Sequence, residues 1–399
     1  MRNDFSGRFG AVLLLCAFGS TLGCNCLCGE KSTAPAASAV PAVPAAIEPG
    51  KPWRFAVSGD SRNCGDVVMP AIAQGAAQNQ AKFYWHLGDL RAIYDFDEDM
   101  LQDYKMKGKH LSISEYEKNA WDNFRQNQTV PFGGIPFFLG IGNHETVHDL
   151  KDRDKFSKEF ADFLNSKELK EQRDSDAAEQ KTKVLPPATY YHWVRDGVDF
   201  IYLDNATDDQ FDTDQMKWFE DRIARDGRSG SPIYAVVVGM HKALPYSTSQ
   251  SHSMNESPRG EESGREVYQK LLKLQSEAHK KVYVLASHSH FYMEDIFNTQ
   301  YWRSNGGILE GWIVGTAGAQ RYALPEPNSA RVAKTNVYGY LLGTPNPAGK
   351  APGTIQFEFK EINEQDVPQA IVHGFSQEFV HWCFAENTKA NSAASSGQR

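Results

Sequence analysis

Short apolar runs rich in Val, Ile, Phe and Tyr recur along the chain, and several of them end in a glycine followed by a polar side chain. They extend from RFAVSG at 54–59 to TIQFEFKEI at 354–362, and several are nearly continuous in hydrophobicity. Runs of this kind predict strands that are covered on both faces. Two other stretches, DQMKWFEDRIARDG at 214–227 and REVYQKLLKLQSEAHKK at 265–281, have helical spacing. The sequence therefore predicts a layered α/β fold.

Polar side chains follow five of the predicted strands, at the point where each strand ends. Because ligands bind at the carboxyl ends of strands in α/β sheets, we expect these side chains to meet in one crevice. Each alone has an ordinary explanation, as a capping carboxylate, a turn residue or a core histidine. Together they form a set of carboxylate, amide and imidazole groups that binds divalent metals. The residues are Asp60, Asp89, Asn143, His144, His241, His288 and His290.

The motifs GDSR, GDL, GNHE, GMH and SHSH, in that order, resemble those of the calcineurin-like metallophosphoesterase superfamily. Within it, they resemble the purple-acid-phosphatase-like members most, over residues 53 to about 360. This resemblance implies a two-sheet β-sandwich flanked by helices, with the metal site at the C-terminal ends of the strands. It also implies two divalent or trivalent metal ions, Fe, Mn, Zn or Mg, and hydrolysis of phosphate esters by a metal-bound hydroxide.

The same resemblance implies a role for each motif residue. Two cations roughly 3.5–4 Å apart need a shared anionic ligand, and the family pattern gives that role to Asp89. His144, next to Asn143, would stabilise charge on the phosphoryl group or protonate the leaving alkoxide. The implied ligands are Asp60, Asp89 and His290 for the first metal, and Asp89, Asn143, His241 and His288 for the second.

The first motif departs from the family pattern at Arg62, where many members have a metal-binding histidine. Members that lack the histidine supply a tyrosine three residues after the bridging aspartate, where this chain has Ala92, with Tyr94 two residues further on. A guanidinium group is always protonated and offers only donors, so it cannot ligate a metal. We expect Arg62 either to bind two phosphate oxygens as a catalytic and substrate-binding residue, or to pair with Asp66 or another loop carboxylate and fix the turn.

Two further positions near the motifs carry expectations. Arg91 is a candidate substrate-binding residue, and its alternative is a solvent-facing partner of Asp95 or Asp97. Ser287 stands where the family usually has glycine in the fifth motif, and it can add a hydrogen bond.

Residues 1–23 have the pattern of a signal peptide. Arg2 and Arg8 precede the apolar stretch FGAVLLLCAFGSTLG, which is too short for a membrane-spanning helix. The sequence TLGC resembles a bacterial lipobox and makes Cys24 a candidate lipidation site, with ordinary signal cleavage as the alternative. Residues 24–52 form an Ala/Pro-rich tether. We therefore expect an exported protein, either a periplasmic or cell-surface lipoprotein held to the membrane by its lipid, or a secreted one.

The predicted metallophosphoesterase domain covers residues 53–375, and a C-terminal extension with a disordered tail covers 376–399. Three polar or charged stretches interrupt the strand pattern and are expected to be solvated insertions, which also form walls of the site. They lie near 95–130, 150–187 and 246–264.

Six cysteines are present, but only Cys64 and Cys383 belong to the predicted folded part. A disulfide between them and two free buried thiols are equally compatible with the sequence. The net charge of -8 gives no electrostatic reason to bind nucleic acid. We expect a small phosphate ester as the partner of the site.

These features predict an exported metal-dependent phosphoesterase, a hydrolase that favours phosphate monoesters. One alternative is a phosphodiesterase or nucleotidase of the same fold. Another is a non-catalytic metal-binding lipoprotein, for which Arg62 is the only argument in the sequence.

Overall fold

Two β-sheets form the frame of the molecule within residues 50–147, 150–325 and 332–389, the part of the chain that the computed structural model describes. The first sheet has five strands and the second has seven. The strands are β1 (Arg54–Ser58), β2 (Ala81–His86), β3 (Phe137–Leu139), β4 (Tyr191–Arg195), β5 (Val198–Leu203), β6 (Ala235–Met240), β7 (Lys281–Ala286), β8 (Tyr292–Glu294), β9 (Glu310–Val314), β10 (Ala333–Lys334), β11 (Tyr338–Pro345) and β12 (Ile355–Ile362).

The inner strands of both sheets run parallel to one another. The first sheet has the order β12-β11-β1-β2-β3, and the second has the order β10-β8-β9-β7-β6-β5-β4. Strands β1, β2 and β3 are mutually parallel, as are β5, β6, β7 and β9, whereas β11, β12, β4, β8 and β10 pair antiparallel. The parallel strands therefore deliver the loops that follow them to one edge of each sheet.

Helices flank the two sheets. They are α1 (Gly65–Gln78), α2 (Glu98–Met106), α3 (Ile113–Phe124), α4 (Leu150–Glu159), α5 (Ala161–Leu164), α6 (Lys167–Gln180), α7 (Thr213–Asp226), α8 (Pro258–Glu277), α9 (Gln300–Ser304), α10 (Gln369–Phe375) and α11 (Gln377–Ala385). No helix among the residues described is long and apolar enough to cross a membrane.

Alternating side chains explain why the strands are hydrophobic on both faces. In β5, Phe200 and Tyr202 pack into the core between the two sheets, while Ile201 and Leu203 pack against the helical layer that contains α7 and α8. Successive side chains of a strand point to opposite faces, so one continuous apolar run serves two cores. The predicted two-sheet sandwich flanked by helices is confirmed.

The three predicted insertions are largely helical in the structure. The stretch near 95–130 contains α2 and α3, and the described part of 150–187 contains α4 to α6. The insertion at 246–264 ends in regular structure, because α8 begins there at Pro258. Ser257 caps this helix by accepting a hydrogen bond from the Gly260 amide at 3.0 Å, and proline suits the first helical position.

A disulfide joins Cys64, at the start of α1, to Cys383 in α11, with the two Cα atoms 5.9 Å apart. Of the two alternatives for these cysteines, the structure has the paired one. Val380 and Cys383 pack into the same apolar cluster as α1. The C-terminal extension predicted from 376 therefore contributes a helix to the unit that covers Ala46–Arg399. The predicted signal peptide, Cys24, and all but the last three residues of the tether lie outside the described residues, as does the tail from 390.

Candidate metal centre

All the predicted metal ligands lie in loops that directly follow parallel strands. Asp60, Asp89 and Asn143 follow β1, β2 and β3 of the first sheet, whereas His241 and the pair at 288 and 290 follow β6 and β7 of the second. The side chains of these residues meet in one cleft where the carboxyl ends of the two sheets come together. The fold thus joins residues that are far apart in the sequence.

The carboxylate and imidazole groups form two clusters that share one member. One cluster contains Asp60, Asp89 and His290, and the other contains Asp89, His241 and His288. In each cluster the potential ligand atoms all lie within 4.8 Å of one another. Asp89 is the shared carboxylate, as the family pattern implies for a bridging ligand.

Asn143 lies beside the second cluster through its amide oxygen, which is 2.9 Å from Nε2 of His241. The same Nε2 atom lies 3.1 Å from Nδ1 of His288 and 3.3 Å from Oδ1 of Asp89. Three groups with lone pairs therefore face one ring nitrogen across short distances. Such an arrangement of amide, imidazole and carboxylate atoms suits a shared cation.

In His241 and His290, the Nδ1 atom faces a backbone carbonyl, so the Nε2 atom that points into the cleft can carry the lone pair. His241 Nδ1 faces Leu87 O and Ser287 Oγ, each at 3.1 Å, and His290 Nδ1 donates to Gln320 O at 2.6 Å. A proton held on Nδ1 leaves Nε2 as the lone-pair atom, which is the usual arrangement behind a metal-ligating histidine. Ser287 thus adds the hydrogen bond expected from its replacement of glycine.

Two buried carboxylate oxygens also point to cation binding. Asp60 Oδ1 and Asp89 Oδ2 have no hydrogen-bond partner among the described residues. A buried carboxylate oxygen that accepts no hydrogen bond is costly, and coordination to a cation would remove that cost. The residues present therefore fit a pair of metal ions.

Left-handed backbone conformations aim these side chains into the cleft. Asp60, Asp89 and His288 have φ values of 62°, 59° and 65°, a region that costs energy for residues other than glycine. Glu145 helps hold this backbone, because its buried carboxylate accepts bonds from the amides of Gly142, Asp89 and Leu90 at 2.7, 2.9 and 2.9 Å. Glu145 is the last residue of the GNHE motif, but the sequence interpretation gave it no role.

Burial and neighbouring charges shift the pKa values of Asp60 and Asp89 in opposite directions. Burial raises the pKa of Asp60 to about 7, although the charge of His241 opposes the rise. Burial also opposes ionisation of Asp89, but His144, His241 and Arg62 together lower its pKa well below the usual value. Burial and the charge of Arg62 lower the pKa of His290 to about 3. The shared carboxylate is thus ionised and His290 neutral, the states that metal ligation requires.

His144 lies at the rim of the clusters. Its Nδ1 is 2.8 Å from Ala92 O, its Nε2 is 3.0 Å from the Tyr94 hydroxyl, and its backbone amide donates to Asp89 Oδ1 at 3.0 Å. Burial lowers the pKa of His144 to about 4. His144 is therefore a neutral ring beside the shared carboxylate.

Arg62 points into the cleft. Its Nη1 lies 3.1 Å from His144 Nδ1, its Nη2 lies 3.3 Å from His290 Nε2, and its Nε lies 3.7 Å from Asp89 Oδ2. The side chain is 15% exposed. The expected pair with Asp66 is not formed, because Asp66 binds other partners, and the loop carboxylate that faces Arg62 is Asp89.

Comparison by sequence finds no matching family model and no matching curated protein. Comparison by structure finds purple acid phosphatase PPD1 from yellow lupin (Lupinus luteus), with a TM-score of 0.50 at 15% identity. The match covers 80% of this chain and 52% of the lupin protein, so the chain spans about half the length of that enzyme.

The chain has a purple-acid-phosphatase-like fold. The resemblance carried by the motifs is thereby confirmed at the level of the fold. Two further structures match: GAP50, the anchor in the inner membrane complex of Plasmodium, with a TM-score of 0.45 at 10% identity, and PhoD, with a TM-score of 0.49 at 12% identity. These matches cover 84% and 85% of this chain, and 96% and 78% of the respective proteins.

Arg91 does not contribute to the cleft of this purple-acid-phosphatase-like fold. Its guanidinium is fully buried and contacts Asp66, Asp99 at 2.9 Å, Asp97 at 3.9 Å and Asn123. The expectation of a substrate-binding residue is therefore wrong. The alternative is right about Asp97 as a partner but wrong about the exposure to solvent, because both side chains are buried. The insertion that carries α2 and α3 closes over this side chain and encloses it among carboxylates.

Two tyrosines flank the cleft. Tyr94 stacks on His144 with ring centroids 4.6 Å apart, so it contacts that histidine and not the first cluster. Tyr322 stacks on His290 at 4.1 Å, and its backbone amide donates to the His290 carbonyl at 3.1 Å. Tyr322 was missed by the sequence interpretation, because it lies in a loop after β9 that carries no motif.

Proposed function

We propose that this protein is a metal-dependent phosphoesterase that hydrolyses phosphate monoesters at a binuclear centre. The observation that carries the proposal is the pair of ligand clusters that share Asp89 in a purple-acid-phosphatase-like fold. Asp60, Asp89 and His290 would hold one metal ion, and Asp89, Asn143, His241 and His288 the other. When bound, the metal pair supplies Lewis acidity toward phosphate and a water of lowered pKa.

Arg62 contributes positive charge and hydrogen-bond donors to phosphate binding. Its two Nη atoms lie between His144 and His290, at one side of the shared carboxylate. A guanidinium binds two phosphate oxygens in a planar, charge-assisted arrangement. A monoester dianion gains more from this charge than a diester monoanion does, which supports the preference for monoesters.

His144 serves the leaving group in this proposal. Its Nε2 is held between the Tyr94 hydroxyl at 3.0 Å and Asp89 Oδ2 at 3.7 Å, so the ring cannot turn freely. An approaching phosphate dianion favours the protonated ring, because a nearby negative charge raises the pKa of an imidazole. The protonated His144 then stabilises charge on the phosphoryl group or gives its proton to the leaving alkoxide.

We further propose that the protein is exported and is anchored by a lipid on Cys24 to a bacterial membrane. The disulfide between Cys64 and Cys383 supports export, because such bonds persist in oxidising compartments. Palmitate labelling that disappears in Cys24→Ala would support the anchor, whereas an unlabelled soluble protein would contradict it.

The experiment is a substrate panel with the metal-reconstituted protein. We expect kcat/KM for 4-nitrophenyl phosphate to exceed that for bis(4-nitrophenyl) phosphate and for nucleotides, and a chelator to abolish all activity. Preference for the diester or for nucleotides would favour a phosphodiesterase or nucleotidase of the same fold. Full metal content without activity on any ester would indicate a metal-binding lipoprotein.

A further inference from the structure

A cavity of about 370 Å³ opens beside the candidate metal centre. Asn143 of the second cluster lies in its wall, and so does Tyr94, the hydroxyl of which contacts His144. A phosphate held between the two clusters would therefore have this cavity next to it. The alcohol part of a phosphate ester bound there would extend into this cavity. Its lining residues are Tyr94, Asn143, Thr146, Val147, Ala206, Asp208, Asp209 and Lys242.

The cavity wall has an excess of negative charge. Lys242 is buried, and its ammonium group already binds Asp209 and Glu256, each at 2.7 Å. Its positive charge is therefore offset within the wall. Asp208 is exposed and forms no ion pair with a residue that the structure describes. A ligand that enters the cavity thus meets an uncompensated carboxylate.

The backbone at Asp208 has a left-handed conformation. Asp208 and Asp209 have φ values of 55° and 51°, a region in which non-glycine residues are strained. Asp204 fixes the start of the turn by accepting hydrogen bonds from the amides of Ala206 and Thr207 at 3.2 and 3.1 Å. A turn that is stabilised by hydrogen bonds therefore places the side chains of Asp208 and Asp209 in the cavity wall.

Tyr94 adds an aromatic surface. One face of its ring stacks on His144, yet the residue remains 56% exposed. The face of a tyrosine ring attracts cations, and the Asp208 carboxylate in the same wall attracts them through its charge. An open aromatic face, an uncompensated carboxylate and the neighbouring reaction centre together define the chemistry that fits the cavity.

We propose that this cavity is a subsite for a cationic alcohol, so that the preferred substrates are phosphate esters of ammonium alcohols. This inference rests on the proposed function, because it assigns the leaving-group side of the same site. Asp208 and Tyr94 are its specificity-determining residues.

The test compares phosphocholine with 3,3-dimethylbutyl phosphate, which has the same shape but lacks the positive charge. Binding is measured by isothermal titration calorimetry with metal-reconstituted protein, and kcat/KM is measured in parallel. We expect both measures to favour phosphocholine by about tenfold. Because the two esters present the same phosphate, their ratio reports on the alcohol alone.

Two variants and one control locate the effect. Asp208→Asn and Tyr94→Leu should each reduce the preference about threefold or more, whereas Asp174→Asn, at an exposed carboxylate of α6, should leave it unchanged. Equal binding of the two esters by the wild type, or an unchanged ratio in Asp208→Asn, would overturn the subsite. A preference seen in binding without turnover of any ester would keep the subsite and refute the phosphoesterase.

Discussion

Arg62 places a positive charge beside two members of the first cluster, Asp89 and His290. Its guanidinium lies 3.7 Å from Asp89 and within 3.3 Å of His290, yet it cannot donate a lone pair to a metal. The position therefore supplies charge in place of coordination. The first cluster accordingly has one ligand fewer than the family pattern, and we expect it to hold its metal more weakly than the second.

Replacement of Arg62 tests its role in phosphate binding. Arg62→Ala should weaken inhibition by inorganic phosphate by about 1.5–3 kcal/mol, or roughly 10- to 150-fold, because a charge-assisted hydrogen bond is lost. Arg54→Ala, at an exposed arginine of β1, is the matched control. Phosphate inhibition constants measure the effect, and values for Arg62→Ala equal to those of the control would refute the clamp.

At the scale of single residues, the sequence predicted which side chains meet in the cleft better than it predicted the contacts of their neighbours. Asp60, Asp89 and His290 could be predicted because each lies in a motif shortly after a strand. The end of a strand determines where the side chains that follow it are placed. Arg91 also follows a strand, but its direction depends on contacts with α2 and α3 that no local pattern encodes. Tyr322 reaches His290 only through the packing of a loop from a distant part of the chain.

Helices α2 and α3 belong to an insertion that buried ion pairs of Arg91 connect to the loop beside the cleft. Arg91 bonds to Asp66 in α1 and to Asp99 in α2, and Asp97 accepts a bond from the Ala92 amide at 3.1 Å. The loop that carries Tyr94 is thereby held between the first sheet and the insertion. Arg91 is thus a positioning residue for this loop.

Removal of the arginine should destabilise the protein strongly. Arg91→Met leaves three buried carboxylates without their cation, so we expect the free energy of unfolding to fall by about 3–5 kcal/mol. Urea denaturation measures the change. If Arg91→Met instead kept its stability and lost phosphate binding, Arg91 would be a substrate-binding residue after all.

The span of a helix was predicted well where its apolar spacing extends over the whole helix. Helix α7 begins after Asp212, which accepts a bond from the Gln215 amide at 2.8 Å, and it lies within one residue of its predicted span. Helix α8 begins seven residues before the span predicted from its apolar spacing. Its first two turns are polar, so hydrophobic periodicity could not reveal them.

The whole molecule carries a pH-dependent contribution to stability away from the metal centre. His192 in β4 is buried between Asp199, 2.9 Å from its Nδ1, and Asp176 of α6, 2.6 Å from its Nε2. Burial opposes the charged ring, but Asp199 and Asp176 prevail and raise the pKa of His192 to about 9. The charged imidazolium therefore joins the 150–187 insertion to the second sheet.

This pair of contacts predicts a loss of stability in alkaline solution. A raised folded-state pKa contributes fully below the unfolded value of about 6.5, and the contribution is lost as the pH rises toward about 9. The loss amounts to about 3 kcal/mol at most. Urea denaturation between pH 6 and pH 10 should show this slope for the wild type and not for His192→Asn. Parallel profiles for the two proteins would refute the assignment.

The overall architecture was predictable because continuous apolar runs imply strands covered on both faces, and the order of motifs implied two sheets. Four antiparallel strands were not predicted, namely β4, the short strand β8, the two-residue strand β10 and β11. Their positions follow from pairing across the sheets, and pairing between distant segments leaves no periodic signal in either one. The disulfide was likewise left open, because a distance between two cysteines cannot be read from their spacing.

The central claim is that two metal ions share Asp89, and elemental analysis of metal content tests it directly. We expect about two metal ions per chain in the wild type. Asp60→Ala should lose the ion of the first cluster and keep that of the second, whereas Asp89→Ala should lose both because Asp89 is the residue that the two clusters share. Circular dichroism confirms that each variant remains folded. Two ions retained in Asp89→Ala, or a loss no greater than that in Asp60→Ala, would contradict the shared centre.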